Sequence, residues 1–218
     1  MKNSNFTPYK PVEFIEQQTI ITLKAIDTHD MFTHAQIISN KAEALIQWNT
    51  PPVGRVKLNL DGASRGNPGP AGCGGVFREH LGKWLAGFSV NLGVCTSIKA
   101  EMMALRHGLK IARDKGFRKV IIHMDSKLIV DKMKNHALRN QAHYFALKDC
   151  RALVNDNSLD YRLLHCYRES NQTADALANL GVTQAEKLIL YTSLPPSMYV
   201  ILREDFVRVA WACIVINQ

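Results

Sequence analysis

The chain has 218 residues, 46% hydrophobic and 21% charged, with 27 Lys and Arg against 19 Asp and Glu. That composition excludes wholesale disorder, and the length suits one sizeable domain with appendages but not two full domains. The formal charge of +8 is concentrated: residues 1–52 carry −1, residues 53–182 carry +9 and residues 183–218 are neutral, so a polyanionic partner is expected to meet the middle segment.

Residues 34–48 place Ile37, Ile38, Ala42, Leu45 and Ile46 near helical spacing, so the lead segment 1–52 is expected to be partly helical. Thr50-Pro51-Pro52-Val53-Gly54 ends any helix, because proline removes a donor and restricts the residue before it. The alternation of Val56, Leu58 and Leu60 with Lys57, Asn59 and Asp61 predicts a half-buried strand ending in a carboxylate. Residues 62–75, with six glycines and two prolines, read as a turn-rich link, followed by a hairpin of 75–79 and 84–92. A long helix is predicted over 97–115, a buried strand over 119–124, helices over 126–135 and 140–154, a strand over 161–167 and a last helix over 172–180. The organisation expected is therefore a lead segment 1–52, a domain 53–182 and a tail 183–218 that periodicity does not assign.

Five cysteines (Cys73, Cys95, Cys150, Cys166, Cys213) are odd in number and never spaced C-x-x-C, which argues against a disulfide scaffold and a structural zinc site. The N-terminus lacks the apolar run of a signal peptide, and the apolar stretch 209–216 falls short of the roughly 20 residues that span a bilayer. An intracellular, reducing compartment without membrane attachment is expected, nucleus and cytoplasm alike.

Four acids fall at positions expected to be buried. Asp61 and Asp125 each end a strand, Glu101 shares a helical face with Leu105, Gly108 and Ala112, and Asp175 lies near the start of the last helix among Ala174, Ala176, Leu177 and Ala178. Each has an ordinary reading: a helix cap for Asp125, a surface charge for Glu101, a favourable helix-dipole position for Asp175. An unpaired buried carboxylate is costly, however, and four together point to pairing or to a metal.

The blocks that carry these acids resemble type 1 ribonuclease H. Asp61-Gly62-Ala63 with Gly66-Asn67-Pro68-Gly69-Pro70-Ala71-Gly72 and Gly74-Gly75 is similar to the family's opening motif. The likeness continues in order through Ala100-Glu101-Met102-Met103-Ala104-Leu105, Met124-Asp125-Ser126 and Asn171-Gln172-Thr173-Ala174-Asp175-Ala176-Leu177-Ala178. The lead-in Trp48-Asn49-Thr50-Pro51-Pro52 through Lys57-Leu58-Asn59-Leu60-Asp61 resembles the plant branch, related to the ribonuclease H of non-LTR retroelement reverse transcriptases.

The resemblance implies an α/β fold with a mixed five-stranded sheet, its first three strands antiparallel and helices on both sides. It implies endonucleolytic hydrolysis of the RNA strand of an RNA–DNA hybrid with two Mg²⁺ ions, Mn²⁺ being a substitute, by a monomer. Hard cations suit carboxylate oxygens, and two ions roughly 4 Å apart can serve both the attacking and the leaving oxygen. Asp61, Glu101, Asp125 and Asp175 are the implied metal ligands, with Asp61 and Asp125 the shared ones.

Gly62, Asn67 and Asn171 are implied substrate contacts, Asn67 at the minor groove where the 2′-hydroxyl marks RNA. Thr96 and Ser97 match a DNA-phosphate site and equally suit a helix cap. Two candidates stand for the charge-handling group before the last acid. His165 is preferred as proton carrier on its spacing of ten residues from Asp175, while Arg168 suits developing phosphate charge. His123 reads as structural. Two departures weaken the analogy: no long basic, Trp-rich handle lies between Asp125 and Asp175, and Ile98 stands where other members carry Asn. A catalytically weak or inactive retroelement-derived nucleic-acid-binding domain is the alternative. A 3′–5′ exonuclease of the same superfold is disfavoured by the Gly66-Asn67-Pro68-Gly69 run.

Overall fold

In the computed structural model, which describes residues 41–134, 144–154, 160–206 and 211–216, the elements follow in order. They are β1 (Lys41–Ile46), β2 (Val56–Ser64), β3 (Gly69–Arg78), β4 (Trp84–Cys95), α1 (Ser97–Asp114), β5 (Lys119–Met124), α2 (Lys127–Lys134), α3 (Tyr144–Val154), β6 (Asp160–His165), α4 (Gln172–Thr183), β7 (Leu188–Tyr191), α5 (Tyr199–Phe206) and β8 (Trp211–Ile216). Short 3₁₀ turns at Arg168–Ser170 and Pro196–Met198 precede α4 and α5.

Six strands form one mixed sheet in the order β6-β5-β2-β3-β4-β7. β2, β3 and β4 are antiparallel, whereas β5 runs parallel to β2 and β6 parallel to β5. The expected five strands become six because the tail supplies β7, which pairs antiparallel with the β4 edge. Two further corrections concern the first hundred residues. The stretch 62–75 is not a link: β2 continues to Ser64 and β3 starts at Gly69, the glycines lying in register across a long hairpin. The helical expectation for 34–48 fails over Lys41–Ile46, a strand that pairs with β8 in a separate two-stranded sheet. Pairing outweighs a weak local pattern there; residues 34–40 lie outside the described residues.

The residues 45–211 form a compact unit, wider at both ends than the expected 53–182. Its main core lies between the sheet and α1. Leu58, Leu60, Phe77, Phe88 and Ile122 meet Met102, Leu105 and Leu109 there, and α2 and α3 extend it through Ile129, Val130, Leu147 and Cys150. A smaller cluster on the other face joins Val76 and Trp84 to Leu177 of α4 and to Met198. Helices therefore cover both faces.

Glycine decides how closely they do so. A Cβ on Gly62 would sit 2.3 Å from the Glu101 nitrogen, and one on Gly74 would sit 2.5 Å from the Ala178 nitrogen. Both helices thus rest on bare backbone of the antiparallel hairpin. Coverage from both sides also explains why β2 is not half-buried. Lys57 and Asn59, expected to face water, are buried with Leu58 and Leu60.

Candidate active site

Parallel pairing sets the first two acids side by side. Leu60 is in register with Met124, so Asp61 lies beside Asp125; Asp125 follows β5, whereas Asp61, expected to end its strand, sits three residues before the end of β2 because the hairpin with β3 extends it to Ser64. Both face the carboxyl side of the parallel pair, where α/β sheets bind ligands. The close seat of α1 on Gly62 brings Glu101 to the same edge. Asp61, Glu101 and Asp125 each offer an oxygen, all within 4.8 Å of one another. Asp175 lines the same cavity of about 290 Å³ together with Gly62, Ser97 and Arg168. The cavity thus collects the four predicted acids, three as a tight triad.

Asp175 stands outside the triad, and its oxygens have other partners. Arg168 Nη2 donates to its Oδ1 at 2.8 Å, and Asn179 Nδ2 donates to its Oδ2 at 3.2 Å. Asn179, one turn along α4, was not anticipated, although the spacing of four places it beside Asp175.

The triad itself is short of donors. Glu101 Oε2 and Asp125 Oδ1 are buried and without a hydrogen-bond partner. Burial, reinforced by the Asp125 and Asp175 charges, pushes Asp61 up to about 8. Burial with the Asp61 and Asp125 charges pushes Glu101 up to about 10, and burial raises Asp125 as well. The clustered carboxylates thus repel one another and resist ionisation in the metal-free protein, a repulsion that a bound cation would relieve. Hard oxygen donors, orphaned and clustered, fit a divalent metal.

The other expected residues divide. Ser97 opens α1 and lines the cavity; its N–H donates to Asn67 Oδ1 at 3.1 Å, tying the exposed β2–β3 turn to the helix start. Thr96 caps α1, accepting from the Lys99 N–H at 3.3 Å. Arg168 lines the cavity with its side chain 74% exposed. His165 is not among the lining residues: it lies exposed at the end of β6, edge-on to Tyr167.

Asn171, expected to contact substrate, is 1% exposed. Its Nδ2 donates to the Leu60 carbonyl and its Oδ1 accepts from Asn59 Nδ2, both at 2.9 Å. The amide is committed inside the protein, holding β2 to the start of α4. His123, half-buried and lowered to about 4 by burial and by Lys57, is neutral, as a structural histidine should be.

Comparison with known proteins places this geometry. Residues 59–181 match the model of the family described as reverse transcriptase-like. An Arabidopsis thaliana protein named as a candidate ribonuclease H is 35% identical over 89% of this chain, which spans 31% of that protein's length. The crystal structure of RNase H1 from the halophilic archaeon Halobacterium salinarum is 33% identical, covers 59% of this chain and 97% of its own, and superposes with a TM-score of 0.52. A ribonuclease H1 isolated from compost by a metagenomic approach, solved in complex with an RNA/DNA hybrid, is 29% identical with a TM-score of 0.54, covering 58% of this chain and 96% of its own. Fold, ordered acids and matched residues agree, and the chain belongs to the reverse transcriptase-like family, on the ribonuclease H fold.

Proposed function

We propose that this protein is an endonuclease that hydrolyses the RNA strand of RNA–DNA hybrids at the Asp61–Glu101–Asp125–Asp175 cavity. The observation that carries the reading is the triad, Asp61 buried and Glu101 and Asp125 half-buried, with its two buried, orphaned oxygens. A fold-stabilising cluster of acids would be expected to find donors, and this one faces a cavity instead. Asp61 and Asp125, side by side on β2 and after β5, would be shared ligands, with Glu101 and Asp175 completing the set. Two Mg²⁺ ions, or Mn²⁺ in their place, would supply an activated water and neutralise phosphate charge there.

The chain's own groups do the rest. Arg168 reaches the cavity and can leave Asp175 for a phosphate oxygen, where a guanidinium stabilises developing charge. This position supports Arg168 over His165 as the group that acts on the reacting phosphate. A guanidinium does not release its proton near neutral pH, so proton transfer falls to water. Asn67, tied to the α1 start beside the cavity, and the β2–β3 turn would take the hybrid's minor groove, and the α1 start with Thr96 and Ser97 would hold the DNA backbone.

Labelled RNA–DNA hybrid, double-stranded DNA and double-stranded RNA, each incubated with Mg²⁺ or EDTA, test the proposal. Cleavage confined to the hybrid's RNA strand and to Mg²⁺ is the expected result. Binding without cleavage would instead select a nucleic-acid-binding domain.

A further inference from the structure

Six side chains encircle the start of α4 on the face of the sheet opposite α1. Trp48 Nε1 donates to Asn59 Oδ1 at 2.9 Å, and Asn59 Nδ2 donates to Asn171 Oδ1 at 2.9 Å. The Asn171 carbonyl accepts from the Ala174 and Asp175 N–H groups, opening the helix. In the same turn Thr173 Oγ1 donates to Asp205 Oδ2 at 3.2 Å. That oxygen also accepts from Arg78 Nη1 at 2.6 Å, and the Arg78 guanidinium carbon lies 3.6 Å over the Trp48 ring, closing the circuit. Trp48 is 3% exposed and Arg78 1%, so this is a buried circuit and not a solvated surface network.

Two acids depend on it. Asn171 Nδ2 holds the carbonyl of Leu60, next to Asp61, while the Asn171 carbonyl holds the N–H of Asp175 itself. Yet Trp48 and Asp205 both lie outside residues 59–181, which carry the family match. We infer that Trp48 and Asp205 are positioning residues, supplied by the flanking segments, that fix α4 and hence the separation of Asp175 from Asp61. Trp48 acts through Asn59 and Asn171. Asp205 acts through Thr173 and also provides the countercharge that Arg78, buried under Trp48, requires. The functional consequence rests on the metal-centre reading above, because what the circuit sets is the spacing of metal ligands.

The test uses the full chain, well below its unfolding transition, with two variants. Trp48→Phe keeps an aromatic face under Arg78 and removes the indole donor. Thr173→Val removes the hydroxyl with little change of shape and carries the test if the first variant does not fold. Amide hydrogen exchange is read at Ala174 and Asp175 against Ile121 and Ile122 of β5, and Mn²⁺ affinity is read by titration. Positioning predicts faster exchange at Ala174 and Asp175, unchanged exchange at Ile121 and Ile122, and Mn²⁺ binding weaker by about tenfold, the low end for loss of an outer partner of a metal ligand.

A merely structural role lowers the unfolding temperature, speeds all four amides alike and leaves Mn²⁺ affinity unchanged, which would overturn the inference. Should the wild-type protein take up no Mn²⁺, the metal-centre reading fails. The exchange data then decide by themselves whether the circuit positions α4.

Discussion

Adding one methyl group at Gly62 tests how the site is assembled. The new Cβ would lie 2.3 Å from the Glu101 nitrogen, 2.4 Å from the Ala100 carbonyl carbon and 2.7 Å from the Glu101 Cα, where ordinary contact begins near 3.4 Å. All three are backbone atoms, so no side chain can swing aside, and α1 must retreat by roughly 1 Å, the gap between those distances. Overpacking of this kind costs about 1–3 kcal/mol. For a chain of this size that lowers the unfolding temperature by roughly 2–12 °C.

Glu101 rides on the displaced segment and leaves the triad, and a misplacement of about 1 Å costs about 100-fold in rate. Gly62→Ala is therefore expected to lose both Mn²⁺ affinity and hybrid cleavage at temperatures where it remains fully folded. Thermal unfolding, metal titration and single-turnover cleavage on one preparation provide the readouts. Wild-type metal affinity in a folded Gly62→Ala protein would refute the claim that this glycine sets the position of Glu101.

Asp125→Asn is expected to abolish Mg²⁺-dependent cleavage while leaving hybrid binding intact and stability in EDTA equal or higher, since it removes a charge that the apo cluster repels; a loss of stability in EDTA would point to a capping role. The pH dependence follows from raised acids: Asp61 and Glu101 hold protons in the folded state that the unfolded chain has lost, so metal-free stability falls as pH rises from the ordinary carboxylate range near 4 through about 8 and about 10. The unfolding temperature of Asp61→Asn relative to wild type in EDTA should accordingly climb as pH rises from near 4 to about 8, and a flat difference would contradict it. Arg168→Ala should slow cleavage by about 10²–10³-fold, the loss seen when one charge-stabilising donor is removed, while His165→Ala should change it far less. Hybrid affinity should drop steeply with salt, with a logarithmic slope of about −0.7 to −0.9 per phosphate neutralised, as the +9 of residues 53–182 demands.

The acids were legible because each is fixed by a local rule. Asp125 follows the apolar strand β5, Asp61 closes the alternating stretch 56–61 although β2 runs on to Ser64, and helical spacing aims Glu101 inward with Leu105 and Gly108. What surrounds them was not. Lys57 and Asn59 alternate with apolar residues and so read as a solvated face; the partners that cover Asn59 are Trp48 and Asn171, 11 and 112 residues away. That same distant burial turned Asn171 from an expected substrate contact into a brace.

The start of β3 was hidden by its composition. Gly72 and Gly74 look like turn residues, yet a Cβ at either would strike the α4 backbone at 2.4 or 2.5 Å, so the strand carries glycine because a helix lies on it. β7 has only four residues and gains its place from pairing with the β4 edge. His165 has the expected spacing from Asp175, but spacing along the chain did not reveal that Arg168, on the 3₁₀ turn, is the residue that reaches the cavity.

Single-turnover cleavage of an RNA–DNA hybrid labelled on each strand, by wild type and Asp61→Asn across a Mg²⁺ titration, decides whether the four acids form a metal-dependent ribonuclease site. Wild type should cut the RNA strand in proportion to metal occupancy, leave the DNA strand whole and stop in EDTA, whereas Asp61→Asn, still folded and still binding hybrid, should not cut. RNA-strand cleavage by Asp61→Asn at the wild-type rate, or by wild type in EDTA, would contradict it.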